Sequence, residues 1–186
     1  METPAIELRN ITKTFGSIVA NKDVSMTVNR GEILSVLGEN GSGKTTFLKL
    51  INGLLTPSSG ELFIGGERPG VITKQHISYL PDQTIFPKWM KISDLFSYYD
   101  DFFVDFDKNK AEEMLKRLDI VENMRLKHMS KGTQEKVQLI LTMSRNANLY
   151  CLDEPIGVSI RQPEITYYRR LFRTTVKMPL CFFPHI

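Results

Sequence analysis

Apolar and polar residues alternate through Ile6–Phe15, with Ile6, Leu8 and Ile11 on the apolar side, and again through 24–28, with Val24, Met26 and Val28. That period of two is the pattern of half-buried antiparallel strands, so an antiparallel β layer opens the chain. Arg30, Gly31 and Glu32 read as a turn, and the run Ile33-Leu34-Ser35-Val36-Leu37 after them ends in glycines, as a buried parallel strand does. Residues 47–51 have helical character and 56–60, Thr-Pro-Ser-Ser-Gly, form a loop. Two further strands are predicted at 62–64 and 77–80, separated by Gly65-Gly66 and Pro69-Gly70. From Ile92 the pattern turns helical: residues 94–99 and 108–118 carry helix formers at helical spacing, Asp107 is placed to cap the second segment, and 133–144 is another amphipathic helix. An apolar strand at 149–152 then delivers Asp153 and Glu154. The succession predicts an α/β fold with a mainly parallel core sheet, an antiparallel β layer and a helical insert at about 87–127.

Composition narrows the classes without choosing among them. The 186 residues are 41% hydrophobic and 24% charged, which suits one soluble domain with a substantial core. A net charge of +3 spread over both signs gives no case for nucleic acid or anionic lipid, so no nucleic-acid partner is expected. Cys151 and Cys181 are too few for a disulfide framework and point to a reducing compartment. Residues 1–10 carry neither an apolar signal core nor a basic leader. No stretch approaches the roughly 18–20 apolar residues of a membrane span, so a link to a membrane is expected to run through a partner.

The chemistry concentrates at two places. Gly38-Glu39-Asn40-Gly41-Ser42-Gly43-Lys44-Thr45, followed by Thr46, fits the phosphate-binding loop pattern and lies between a predicted strand and a predicted helix. Gly41 and Gly43 let backbone N–H groups aim at phosphate oxygens, and the helix beginning at Lys44 adds its positive dipole end. Lys44 is placed to reach the β- and γ-phosphates, and the Thr45 hydroxyl to bind Mg²⁺. Asp153 and Glu154 stand at the end of an apolar strand, where ligands of parallel sheets bind. There Asp153 can hold the metal, directly or through water, and Glu154 can polarise an attacking water.

Phosphate loop, helical insert, Met129-Ser130-Lys131-Gly132-Thr133-Gln134-Glu135-Lys136 and acidic strand follow one another as they do in ABC ATPases, and over residues 1–157 the chain resembles that family. Ser130, Lys131, Gly132 and Thr133 resemble the family signature, which closes on ATP bound by the opposite subunit; read without the resemblance, they are a helix cap. The resemblance implies a P-loop NTPase fold, ATP and Mg²⁺ as cofactors, Glu154 as the catalytic residue and Phe15 as the aromatic that stacks on adenine. Phe15 read by itself is equally core packing. The family's metal-sensing glutamine would fall at Asp82, so either Asp82 supplies an oxygen or Gln83 serves from one position on. Partners implied are a second nucleotide-binding subunit, in a homo- or heterodimer, and a transmembrane permease. The latter would hold the chain on the inner, cytoplasmic face of the cell membrane. A soluble ABC ATPase outside transport and a catalytically dead remnant are the rival readings.

Beyond Gly157 the likeness stops. Val158-Ser159-Ile160-Arg161-Gln162-Pro163 replaces the family's aspartate loop, and no apolar strand ending Ser-Thr-His follows. Re-read with each codon's last base joined to the next two, Ser159 and Ile160 can encode Val-Asp, and the stretch from Gly157 becomes Gly-Val-Asp-Pro-Ala-Ala. At the same offset 179–186 permits Ala-Thr-Val-Phe-Leu-Ser-Thr-His, and a stop codon can follow directly. Two missing motifs recovered at one offset mark 158–186 as an aberrant, frameshifted tail.

Overall fold

The computed structural model describes residues 2–153 and 180–182. Two sheets organise it. The first is antiparallel, in the order β2-β1-β4, built from β1 (Ile6–Phe15), β2 (Ile18–Val28) and β4 (Ser59–Ile64). Its register pairs Ile6 with Val28 and with Ile64, and Leu8 with Met26 and with Leu62. Ile6, Leu8 and Leu62 thereby fall on one face and are buried, and Ile11, out of step with them by one residue, is buried too after a register shift between Leu8 and Ile11 in which Asn10 stands at φ +51°. β2 starts at Ile18, well before the alternation at Val24, because hairpin pairing with β1 carries the strand through Val19 and Asn21 although the apolar pattern has lapsed there.

The second sheet is parallel throughout, in the order β3-β7-β6-β5, with β3 (Ile33–Ser35), β5 (Ile77–Leu80), β6 (Leu149–Leu152) and β7 (Leu180–Phe182). β3 is shorter than its apolar run: Val36 and Leu37 leave the ladder to enter the glycine loop, and Leu37 is exposed. β6 is buried at every position, as the interior strand of a two-sided parallel sheet must be. Leu149 and Cys151 join the core packed on α1 (Lys44–Ile51) and the antiparallel sheet, whereas Tyr150 and Leu152 join the core of the helical region.

That region holds α3 (Ile92–Phe102), α4 (Lys108–Arg117), capped by Asp107 as the sequence predicts, and α5 (Lys131–Met143); a short α2 (Val71–Gln75), which has no clear sequence signal, precedes β5. Arg145 ties the helical insert to the parallel sheet. Its guanidinium is buried, donates to Asp105 at 2.8 and 3.1 Å and to the carbonyls of Ile77 and Gln75 at 2.7 and 2.5 Å, and lies 3.9 Å from the Phe103 ring centroid. No helix among the described residues is long and apolar enough to cross a membrane.

Candidate active site at the phosphate-binding loop

Between β3 and α1 the chain makes the turn that the glycine pattern predicts. Ser42 N–H donates to the Glu39 carbonyl at 3.1 Å, and Gly41 and Gly43 stand at φ +84° and +92°, in the left-handed region. Gly43 is constrained by space as well: a Cβ there would lie 2.1 Å from the Ala20 carbonyl oxygen, so β2 lies directly against the loop. Asn21, next on β2, donates its Nδ2 to the Gly43 carbonyl at 3.3 Å. α1 begins without a side-chain cap and without an acidic residue in its first turn. Its leading N–H groups and dipole end are therefore disposed toward an anion. Lys44 folds its ammonium into the loop, donating to the carbonyls of Gly38 at 2.8 Å and Glu39 at 2.9 Å. Glu39, Asn40, Gly41 and Ser42 are exposed around it, and Thr46 is half-buried on the first turn of α1.

The acidic strand reaches the same place. Asp153 follows β6, is 1% exposed, and donates its backbone N–H to the Leu80 carbonyl at 2.9 Å. Its Oδ1 accepts from the Thr45 hydroxyl at 3.3 Å, a contact between residues 108 positions apart that joins the phosphate loop to the acidic strand. Its Oδ2 accepts from the Tyr79 hydroxyl at 3.5 Å. Burial, and next the negative charges of Asp153 and Asp82, push the Tyr79 phenol well above its ordinary value, so it stays a protonated donor. The donor set fits a Mg²⁺ ion. Thr45 and Asp153 supply hard oxygens beside the phosphate loop, and Mg²⁺ characteristically takes one or two such protein ligands and completes its shell with phosphate oxygens and water.

Asp82 and Gln83 are both exposed after β5. Asp82 is near enough for its charge to act on Tyr79, while Gln83 offers its carbonyl to Gln138 Nε2 at 3.5 Å. Glu154 lies outside the described residues, as does everything in 158–179. At the other motif Ser130 is the N-cap of α5: its Oγ accepts from Thr133 N–H at 3.2 Å and lies 2.9 Å from Thr133 Oγ1. Lys131 pairs with Glu135 at 3.7 Å, and nothing stands within 4 Å of the position a Gly132 Cβ would take. Ser130 thus makes the helix cap on an open surface, and capping leaves the outer face of this helix start accessible. Phe15, at the end of β1, is about half exposed, with the Lys13 ammonium 5.0 Å from its ring centroid. Tyr79 and Asn21 are the site residues that sequence reasoning missed. Tyr79 comes into view only through the structure's register, in which 77–80 pairs in parallel with 149–152 and puts it beside Cys151 on the face from which Asp153 projects; nothing in the sequence marks Asn21.

The sequence model of the ABC transporter family matches residues 21–157, a range that takes in the glycine loop at 38–45, the start of α5 at Ser130–Thr133, and Asp153 and Glu154. The chain belongs to the ABC transporter family. It is 35% identical over 154 residues to the ABC transporter ATP-binding protein YtrB of Bacillus subtilis, covering 81% of this chain and 52% of that one. With the xylose/arabinose import ATP-binding protein XylG of Sulfolobus acidocaldarius it shares 31% identity over 164 residues, 81% of this chain and 65% of XylG. Its fold matches the dimeric ATP-binding cassette MJ0796, solved in a post-hydrolysis state with ADP and Pi, at a TM-score of 0.82 and 20% identity, over 97% of this chain and 88% of that one. This ABC family chain spans about half the length of the curated relatives it matches.

Proposed function

We propose that this chain is the Mg·ATP-binding module of an ABC membrane transporter. The observation that carries the reading is the meeting of Thr45 and Asp153 beside a phosphate loop whose amides and Lys44 are free of any acidic neighbour in the first helical turn. On this reading the loop amides of 38–46 and Lys44 bind the β- and γ-phosphates. Phe15 stacks on adenine, and Thr45 and Asp153 hold the cation, with an oxygen from Asp82 or Gln83. When bound, Mg²⁺ neutralises charge on the phosphate oxygens. Glu154 takes the role of polarising the water that attacks the γ-phosphorus as the bond to the ADP oxygen breaks.

The exposed start of α5 suits a signature that acts on a nucleotide held by a second copy or a homologous subunit. A permease is the proposed second partner. In support, an aromatic cleft of about 280 Å³ between β5 and α3, lined by Leu54, Ile85, Phe86, Tyr98 and Tyr99, leaves apolar surface open beside the site. Such a complex would place the chain on the inner face of the cell membrane.

Residues 1–157 are the proposed nucleotide-binding domain, and 158–186 a frameshifted tail. In support, the family match ends at Gly157, where the codon argument puts the lost base. A dead remnant is the second reading, favoured by the same tail. Restoring one base in the Gly157 codon region and measuring steady-state phosphate release decides between them. The repaired chain is expected to hydrolyse ATP at least ~10²-fold faster, since each lost contact to the transition state costs about that factor. Glu154→Gln in the repaired chain should abolish the gain. Equal rates with and without repair would overturn both the frameshift and the roles given to the missing motifs.

A further inference from the structure

Tyr79 belongs to no motif, yet its hydroxyl touches the carboxylate on which the metal reading depends. β5 and β6 pair in parallel with Tyr79 opposite Cys151 and Leu80 opposite Leu152, so Tyr79 and Cys151 share a face. With a side-chain period of two, Asp153 emerges on that face too, toward α1. Ser78 points the other way, donating its hydroxyl to the Thr142 carbonyl on α5. Two hydroxyls from two different elements therefore reach the buried carboxylate, one for each oxygen: Thr45 from α1 to Oδ1 at 3.3 Å, and Tyr79 from β5 to Oδ2 at 3.5 Å.

The two bonds differ in what they must do next. Thr45 has to turn its oxygen lone pairs to a cation, whereas nothing asks Tyr79 to leave Oδ2. A carboxylate held at one oxygen keeps the other aimed, and hydrogen bonds that orient a ligand in this way are worth an appreciable part of metal affinity. The ring itself is held by packing: Tyr79 is partly buried against the core on α1, and its edge also lines the cleft shared with Phe86 and Tyr99. The hydroxyl is thus delivered from a fixed position, with little rotamer freedom to lose on binding.

We propose that Tyr79 is a positioning residue for the divalent-cation site, holding the Asp153 carboxylate so that its Oδ1 faces the cation that accompanies nucleotide. The inference rests on the reading of Thr45 and Asp153 as the metal-holding pair. The test is calorimetric titration of ATP into the full chain and into Tyr79→Phe, once in chelator and then across a Mg²⁺ series, with thermal unfolding of both proteins recorded alongside. Phenylalanine keeps the packing and removes one oxygen, so ATP affinity in chelator should agree within about twofold. The Mg²⁺ concentration giving half of the metal-dependent tightening should rise at least about tenfold, the effect of losing one hydrogen bond to a charged group that orients a metal ligand. If the wild-type chain binds ATP with no tightening by Mg²⁺, the metal-site reading falls and this inference with it. If wild type tightens and Tyr79→Phe tightens at the same Mg²⁺ concentration, the inference alone falls. Equal loss of affinity with and without Mg²⁺ would assign Tyr79 a purely structural role and overturn the proposal as well.

Discussion

Replacing Gly43 by alanine tests whether the shape of the phosphate loop is set by β2. The added Cβ would stand 2.1 Å from the Ala20 carbonyl oxygen and 3.0 Å from Asn21 Nδ2. The first of these is backbone, which cannot turn aside as a side chain does, so the loop has to retreat by more than ~1 Å from ordinary contact. Alanine at φ +92° adds a conformational penalty of about 1–2 kcal/mol, and forced overpacking typically costs about 1–3 kcal/mol. The two together are worth ~2–5 kcal/mol. Since the amides around Gly43 form the cradle, most of that should appear as lost Mg·ATP affinity, at least about 30-fold. Gly41 separates the two contributions: it stands at φ +84° with nothing within 4 Å of its would-be Cβ, so Gly41→Ala should show only the conformational part, about five- to 30-fold. Gly132 has the same free space and lies inside α5, where alanine is the better helix former. Gly132→Ala should leave ATP binding by this chain unchanged and raise its melting temperature. Isothermal calorimetry with thermal unfolding of each variant ranks the three. Gly43→Ala binding as tightly as Gly41→Ala would refute the buttressing of the loop by β2.

Two further expectations concern stability. Arg145→Met removes the charge that satisfies Asp105 and the carbonyls of Gln75 at the end of α2 and Ile77 at the start of β5, and should destabilise the chain by about 3–5 kcal/mol in urea unfolding, as breaking a buried pair does; a loss under ~1 kcal/mol would contradict the tie between insert and sheet. Lys110 has its ammonium nitrogen buried with no hydrogen-bond partner among the described residues, and burial, opposed by the charge of Asp107, lowers its pKa. The folded chain then binds fewer protons at this site than the unfolded one, so stability should rise with pH from the lowered folded value up to the ordinary lysine value near ~10.4. Lys110→Met should remove that slope and raise Tm at neutral pH by ~2–4 °C, corresponding to about 1 kcal/mol; an unchanged slope in pH-dependent melting would count against it.

What could be read from the sequence was what depends on local pattern. The glycine loop announces itself because its backbone conformations need glycine at Gly41 and Gly43, and it lies between a short apolar run and a segment of helical character. The parallel character of β6 was legible because a strand buried on both faces needs an uninterrupted apolar run. Asp107 as a cap followed from its place before a helical segment, and the structure gives it the Lys110 N–H at 3.0 Å. Illegible were contacts made by pairing between distant segments. Asn21 touches Gly43 because the β1–β2 hairpin carries it there, and neither residue betrays the other. Tyr79 meets Asp153 only once β5 is set beside β6 in one register. Arg145 meets Asp105, Gln75 and Ile77 only once the insert is folded against the parallel sheet. Strand β7 arises in the segment taken as out of frame, where Leu180, Cys181 and Phe182 pair in parallel with β3 and, through Leu180 and Cys181, with β6.

The most direct test of the nucleotide-site account is calorimetric titration of Mg·ATP into the wild-type chain and into Lys44→Ala. Lys44 already donates to two loop carbonyls, and a charged contact to phosphate is worth about 1.5–3 kcal/mol. Saturable binding at one site, weakened at least ~10-fold in the variant, is the predicted result. Equal affinity in two equally folded proteins would contradict the assignment of residues 38–46 as the phosphate site.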